Sequence, residues 1–92
     1  MKNLVLAVKA EYFYAINDGS KVFEYRLCNA YWAKRLHDCE YGQVIITLGY
    51  PKADDLSRRI VRPYRGYHCK TITHPHFGKA PVDVYAIHLT DD

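Results

Sequence analysis

Lys21, Glu24 and Arg26 lie within the run Gly19-Ser20-Lys21-Val22-Phe23-Glu24-Tyr25-Arg26, which reads G-x-K-x-x-E-x-R. The run follows an amphipathic segment and leads into an apolar, aromatic, β-prone stretch. A glycine turn therefore delivers two cations and a carboxylate to the start of a strand. Residues two apart on a strand point the same way, so Glu24 and Arg26 share one face with Val22, while Phe23, Tyr25 and Leu27 fill the other. Lys21 sits at the turn, free to lean over the same mouth. It can supply a point positive charge or, with its pKa lowered by burial and by Arg26, act as a base or nucleophile. Glu24 can accept a hydrogen bond from a nucleobase amine, relay a proton, or hold Lys21 in place. Arg26 offers a planar fork suited to phosphate or carboxylate. The plain alternative is an internal ion-pair network that fixes the strand, with Gly19 an ordinary helix stop after Asp18.

A second feature is Arg58-Arg59-Ile60-Val61-Arg62-Pro63-Tyr64-Arg65-Gly66-Tyr67, in which four arginines interleave with two tyrosines. Strand alternation puts Arg58, Ile60 and Arg62 on one face and Arg59 and Val61 on the other. Cations mixed with aromatic rings suit a phosphate backbone with stacked bases. The same residues can equally protect an edge strand from aggregation. Tyr31 can stack on a base, whereas Trp32 is the natural core plug of a small domain. Thr47, Gly49 and Tyr50 end a strand beside a proline turn, as a pocket wall or a hairpin exit. His74 and His76 flank a proline, and His68 lies near Cys69. None of them has the spacing of a metal site, so a surface loop is the reading for the first two. No metal ligand set and no cofactor is therefore expected. Neither a P-loop, a G-x-G-x-x-G, nor a G-x-S-x-G motif occurs.

The motif run resembles the signature of the ASCH family, a branch of the PUA-like β-barrels. All four fixed positions, Gly19, Lys21, Glu24 and Arg26, are present. The surroundings agree over roughly residues 3–50: a first strand ending in Lys9, a helix with Phe13 and Ile16, an aromatic segment at Tyr31-Trp32, and a strand ending in Thr47-Leu48-Gly49-Tyr50. The resemblance implies that the motif lines a cleft beside a small barrel, that Lys9 reaches the same cleft, and that the ligand is RNA or a nucleotide. Some small ASCH-like proteins remove the acetyl group from N4-acetylcytidine, using the lysine, a threonine at the position of Glu24, and a later glutamate. This sequence departs at both points, since position 24 is Glu and no glutamate follows Glu40. Others are ribonucleases, a chemistry that would keep every motif residue. Lys21 and Arg26 would then stabilise the pentavalent phosphate, with Glu24 or Tyr31 handling protons. Three functions thus stand side by side: an RNA- or nucleotide-binding module, a small hydrolase, and a protein-interaction scaffold in which the motif is structural.

The elements that must position these residues follow from periodicity. Leu4–Val8 is a continuous apolar run and reads as a buried strand. Ala10–Asp18 carries Tyr12, Phe13, Ala15 and Ile16 at helical spacing and is stopped by Gly19. Lys21–Cys28 is the motif strand. Asn29 can cap a second helix in which Trp32, Arg35 and Leu36 share a face. Gln43–Leu48 is a strand broken by Gly49-Tyr50-Pro51. Arg58–Tyr64 and Tyr67–Thr73 form one bent strand or two, with Pro63 and Gly66 at the bend. His74–Gly78 is a turn-rich loop, and Val82–Leu89 is a final strand. Five or six strands and two short helices suggest an α+β, small, partly closed β-barrel, which the family resemblance implies is PUA-like.

Ninety-two residues suffice for one domain, and 49% hydrophobic with nine tyrosines is a folding composition. The net charge of +3 permits nucleic-acid contact without demanding it. Cys28, Cys39 and Cys69 are odd in number and lack a C-x-x-C pair, which argues for reduced thiols in a cytoplasm rather than disulfides or a zinc knuckle. The apolar run ended by Lys9 is too short for a signal peptide or membrane span, so no membrane partner is expected. The oligomeric state is left open.

Overall fold

Leu4, Leu6 and Val8 turn inward along the first strand while Asn3 and Val5 stay exposed, the alternation of a sheet with one covered face. This is β1 (Asn3–Val8) of a computed structural model that describes residues 2–90. The chain continues through α1 (Ala10–Asp18), β2 (Phe23–Leu27), α2 (Ala30–Leu36), β3 (Gln43–Leu48), β4 (Arg59–Pro63), β5 (Tyr67–Ile72) and β6 (Val82–His88). Short 3₁₀ turns at Leu56–Arg58 and Pro75–Phe77 precede β4 and β6.

The strands form two three-stranded sheets, ordered β1-β3-β4 and β2-β6-β5. β1 and β3 are parallel, with Leu6 opposite Ile46, and β4 is antiparallel to β3. In the second sheet β6 is the centre, antiparallel to both β2 and β5. The core lies between them. Leu6, Val44, Ile46 and Ile60 come from the first sheet, Tyr85 and Ile87 from the second, and Phe13, Ile16 and Leu36 from the helices. Among the described residues no strand ladder closes the two sheets into one barrel. The observed architecture is a small α+β fold of two helices and six strands. No described helix is long and apolar enough to cross a membrane.

The segment expected as one bent strand or two is two, and they belong to different sheets. Pro63 pairs with Gln43 at the end of β4. Gly66, in the left-handed region at φ 81°, then lets the chain turn into β5. Arg58 is not in a strand at all. It ends a 3₁₀ turn and pairs with Asp55 at 3.1 Å.

Both helices are bounded as their sequences suggest. Gly19 takes φ 88° at the end of α1, and its N–H donates to the Ile16 carbonyl. The Asn29 side chain accepts a hydrogen bond from the Trp32 N–H at 3.0 Å, satisfying one of the free donors of the first turn of α2. Asn29→Ala should therefore cost about 1 kcal/mol in urea unfolding, whereas Asn29→Ser or Asn29→Asp should cost much less. Equal losses for all three would show that the cap contributes nothing.

Candidate functional site

Gly19 ends α1 and turns the chain so that Lys21 stands at the mouth of β2, its backbone N–H held by the Ala15 carbonyl at 3.0 Å. Two positions into β2, Glu24 points inward and is 4% exposed. Arg26 follows on the same face, as strand alternation requires. Its Nη1 lies 2.6 Å from Glu24 Oε2, and Lys21 Nζ lies 3.5 Å from Glu24 Oε1. Each carboxylate oxygen thus faces one cation. The burial of Glu24 is compensated, because a buried carboxylate is tolerated only when paired and hydrogen-bonded. Two cations around one carboxylate leave a net positive charge at the strand.

Arg26 also joins the sheets. β2 and β1 are edge strands of different sheets, and Arg26 Nη2 donates to the Ala7 carbonyl at 3.0 Å. The guanidinium takes the place of a ladder hydrogen bond where the backbones do not pair. It also lies 5.2 Å from the centre of the Trp32 ring.

The gap beside this bridge is a cavity of about 370 Å³. Lys21, Glu24 and Arg26 form one wall, and Ala7, Val8 and Lys9 at the end of β1 form another. Aromatic rings complete it. Lys21 Nζ lies 4.8 Å from the Tyr25 ring centre and 5.3 Å from that of Tyr12, within range of cation–π attraction. His74 approaches Tyr12 and Tyr25 with ring centres 6.0 and 6.5 Å away, and Phe77 lines the cavity beside it. Burial, with smaller contributions from the Glu11 and Glu24 carboxylates, pushes the Tyr12 phenol above its ordinary pKa. At neutral pH it is therefore protonated and able to donate a hydrogen bond.

The residues expected at a site are thus partly gathered. Lys9, Lys21, Glu24, Arg26 and Tyr50 line this one cavity. Tyr31 does not; it lies on α2 beside a second, adjoining hollow with Trp32, Thr47 and Arg59. Its ring is covered on one side by the Arg35 guanidinium, 3.4 Å from the ring centre. Thr47 is 3% exposed and donates to the Gly49 carbonyl at 2.7 Å. Arg58, Arg59 and Arg62 do not form one strip. Arg58 is paired with Asp55, Arg59 borders the second hollow, and Arg62 sits opposite Val44 on the core-facing side of an edge strand.

Tyr12, Tyr25 and Phe77 are cavity residues that the sequence did not single out. His74 and His76 were expected on a surface loop. They do lie on a surface loop, His76 exposed and His74 partly so, and its Pro75–Phe77 turn also brings both rings against Tyr12. The available signal was local: three aromatic or imidazole rings within His74-Pro75-His76-Phe77. Among the described residues no group of three or more His, Cys, Asp or Glu gathers as a metal site. No family model, no curated protein and no solved structure matches this chain.

Proposed function

We propose that the chain is an ASCH-type, PUA-like domain that binds RNA or a nucleotide-like ligand in the cleft between β1 and β2. The observation that carries this reading is the cavity itself. At about 370 Å³ it falls within the roughly 300–1,000 Å³ of small-molecule sites. Its walls combine a Lys–Glu–Arg cluster with the rings of Tyr12, Tyr25, His74 and Phe77. Aromatic faces suit a base, the cations suit phosphate, and the Tyr12 hydroxyl can bond a base edge. The G-x-K-x-x-E-x-R run that supplies the cluster is also the part of the sequence that resembles the family. Two sheets tied by Arg26 rather than by a ladder are read as a split form of the small barrel. Three free thiols accord with a cytoplasmic setting.

The test is fluorescence anisotropy with a short single-stranded RNA at several salt concentrations. Two or three phosphate contacts should lower affinity roughly tenfold between about 50 and 200 mM salt. Absence of binding, or affinity indifferent to salt, would count against the proposal.

Hydrolysis is the second reading, favoured by Lys21 Nζ standing 3.5 Å from Glu24 Oε1 in the cavity wall. Incubation of an RNA pool containing N4-acetylcytidine, followed by mass spectrometry, separates the two. Strand cleavage or deacetylation that disappears in Lys21→Ala would make the cleft an active site. An unchanged pool would leave it a binding site.

A further inference from the structure

A second cavity, of about 360 Å³, adjoins the first, and the two share Ala7, Arg26, Gly49 and Tyr50 as a common wall. It opens on the outward face of the first sheet, where the register sets Ala7, Thr47 and Arg59 side by side. Its far side is α2, whose Tyr31 and Trp32 rings meet edge to face at 5.1 Å. Two features of this hollow bear on what it could hold. Arg59 Nε is buried and has no hydrogen-bond partner, while Nη2 of the same side chain donates to the Lys52 carbonyl at 3.2 Å. A buried donor without an acceptor is unfavourable, and Arg59, which lines the hollow, is a cation with which a bound anion would pair. Tyr50, at the common wall, is 96% exposed and leaves a large ring in water.

The two cavities are nearly equal in volume and repeat one chemistry. Each sets a cation against aromatic rings: Lys21 over Tyr12 and Tyr25 in the first, and in the second Arg26, 5.2 Å from the Trp32 ring centre, with Arg59 and the uncovered side of Tyr31 lining the same hollow. Arg26 stands in the wall between them. A ligand that matches this pattern has two planar units joined by an anionic link. From this geometry we infer that the second cavity is a subsite for the neighbouring nucleotide of a single-stranded RNA. One base occupies each hollow, Arg59 holds a phosphate at the second, and Tyr50 stacks at the step between them. Duplex RNA does not fit, because its bases are stacked on one another and cannot be splayed into separate hollows. The inference rests on the first cavity binding a nucleotide, as proposed above, and specifies that the ligand is at least a dinucleotide.

Calorimetric titration with uridine 3′-monophosphate and with the two-unit UpUp tests it. The native protein should bind UpUp at least about tenfold more tightly than the mononucleotide, a stacked base and a second phosphate being added together. In Arg59→Gln that ratio should fall below about threefold. Tyr31→Ala, which removes a ring already 55% exposed, should lower the ratio as well and serves if the arginine variant does not fold. Mononucleotide binding with no gain for UpUp would overturn the subsite alone. So would variants that weaken both probes by one common factor. Failure of both probes to bind would overturn the subsite and the proposed function together.

Discussion

Arg26→Ala should lower the stability of this domain by about 3–5 kcal/mol, the usual consequence of removing one partner of a buried ion pair. The size follows from what the side chain holds. Its side chain is 20% exposed and that of Glu24 only 5%, and the two meet at 2.6 Å. Without Arg26, Glu24 keeps only Lys21, at 3.5 Å, and the Ala7 carbonyl loses the donor that ties β1 to β2. A loss of about 3 kcal/mol in a domain of this size lowers Tm by roughly 12–24 °C. Replacing both partners, Glu24→Leu with Arg26→Met, should recover part of the loss, because no carboxylate is then left buried beside a missing arginine, although Lys21 loses its partner and the Ala7 carbonyl still lacks its donor. Thermal and urea unfolding of the single and double variants would measure this. A loss below about 1 kcal/mol for Arg26→Ala would mean that Glu24 is hydrated through the cavity and that Arg26 is not the tie between the sheets.

Lys21→Met separates binding from folding. The lysine Nζ stands 5.3 and 4.8 Å from the ring centres of Tyr12 and Tyr25, and methionine puts an apolar side chain of similar reach there while removing the charge. The stability change should stay within about 1–2 kcal/mol, because Glu24 keeps Arg26 at 2.6 Å and only the looser 3.5 Å pair and two cation–π contacts are lost. RNA affinity should fall by roughly 10- to 150-fold, because a hydrogen bond to a charged group contributes about 1.5–3 kcal/mol. Loss of affinity with Tm little changed identifies Lys21 as a ligand contact. A large loss of Tm with affinity retained would make the motif scaffolding, as the interaction-protein reading requires.

Local structure was largely legible. The Leu4–Val8 run, the helix stopped by Gly19, the Asn29 cap and the Gln43–Leu48 strand each carry their own signal, since burial alternation and capping act over a few residues. The shared face of Glu24 and Arg26 was legible for the same reason. What could not be read was assembly. Nothing in Arg59–Pro63 or Tyr67–Ile72 says that the two strands join different sheets, because pairing partners are chosen by distant residues such as Ile46 and Ala86. The arginine run is broken locally instead, because Arg58 turns off into a 3₁₀ turn to pair with Asp55 while Arg59 and Arg62 take opposite faces of β4. The cleft's aromatic wall was hidden similarly. Tyr12 has the pattern of a helix face, and the turn after β5 brings His74 and His76, distant in sequence, against it. Arg26 was readable as a fork for phosphate or carboxylate, and it meets the Glu24 carboxylate, but its bond to the Ala7 carbonyl depends on a meeting of two sheet edges that no local pattern encodes.

The most direct test of the central claim is NMR mapping of backbone amide shifts while uridine 3′-monophosphate is titrated into the native protein. A nucleotide in the cleft should produce saturable shifts that cluster at Lys9, Lys21 to Arg26, Gly49 and the His74 to Phe77 turn, which line one cavity from four separate parts of the chain. Shifts confined to β5, or none at millimolar nucleotide, would contradict the assignment of this cleft as the binding site.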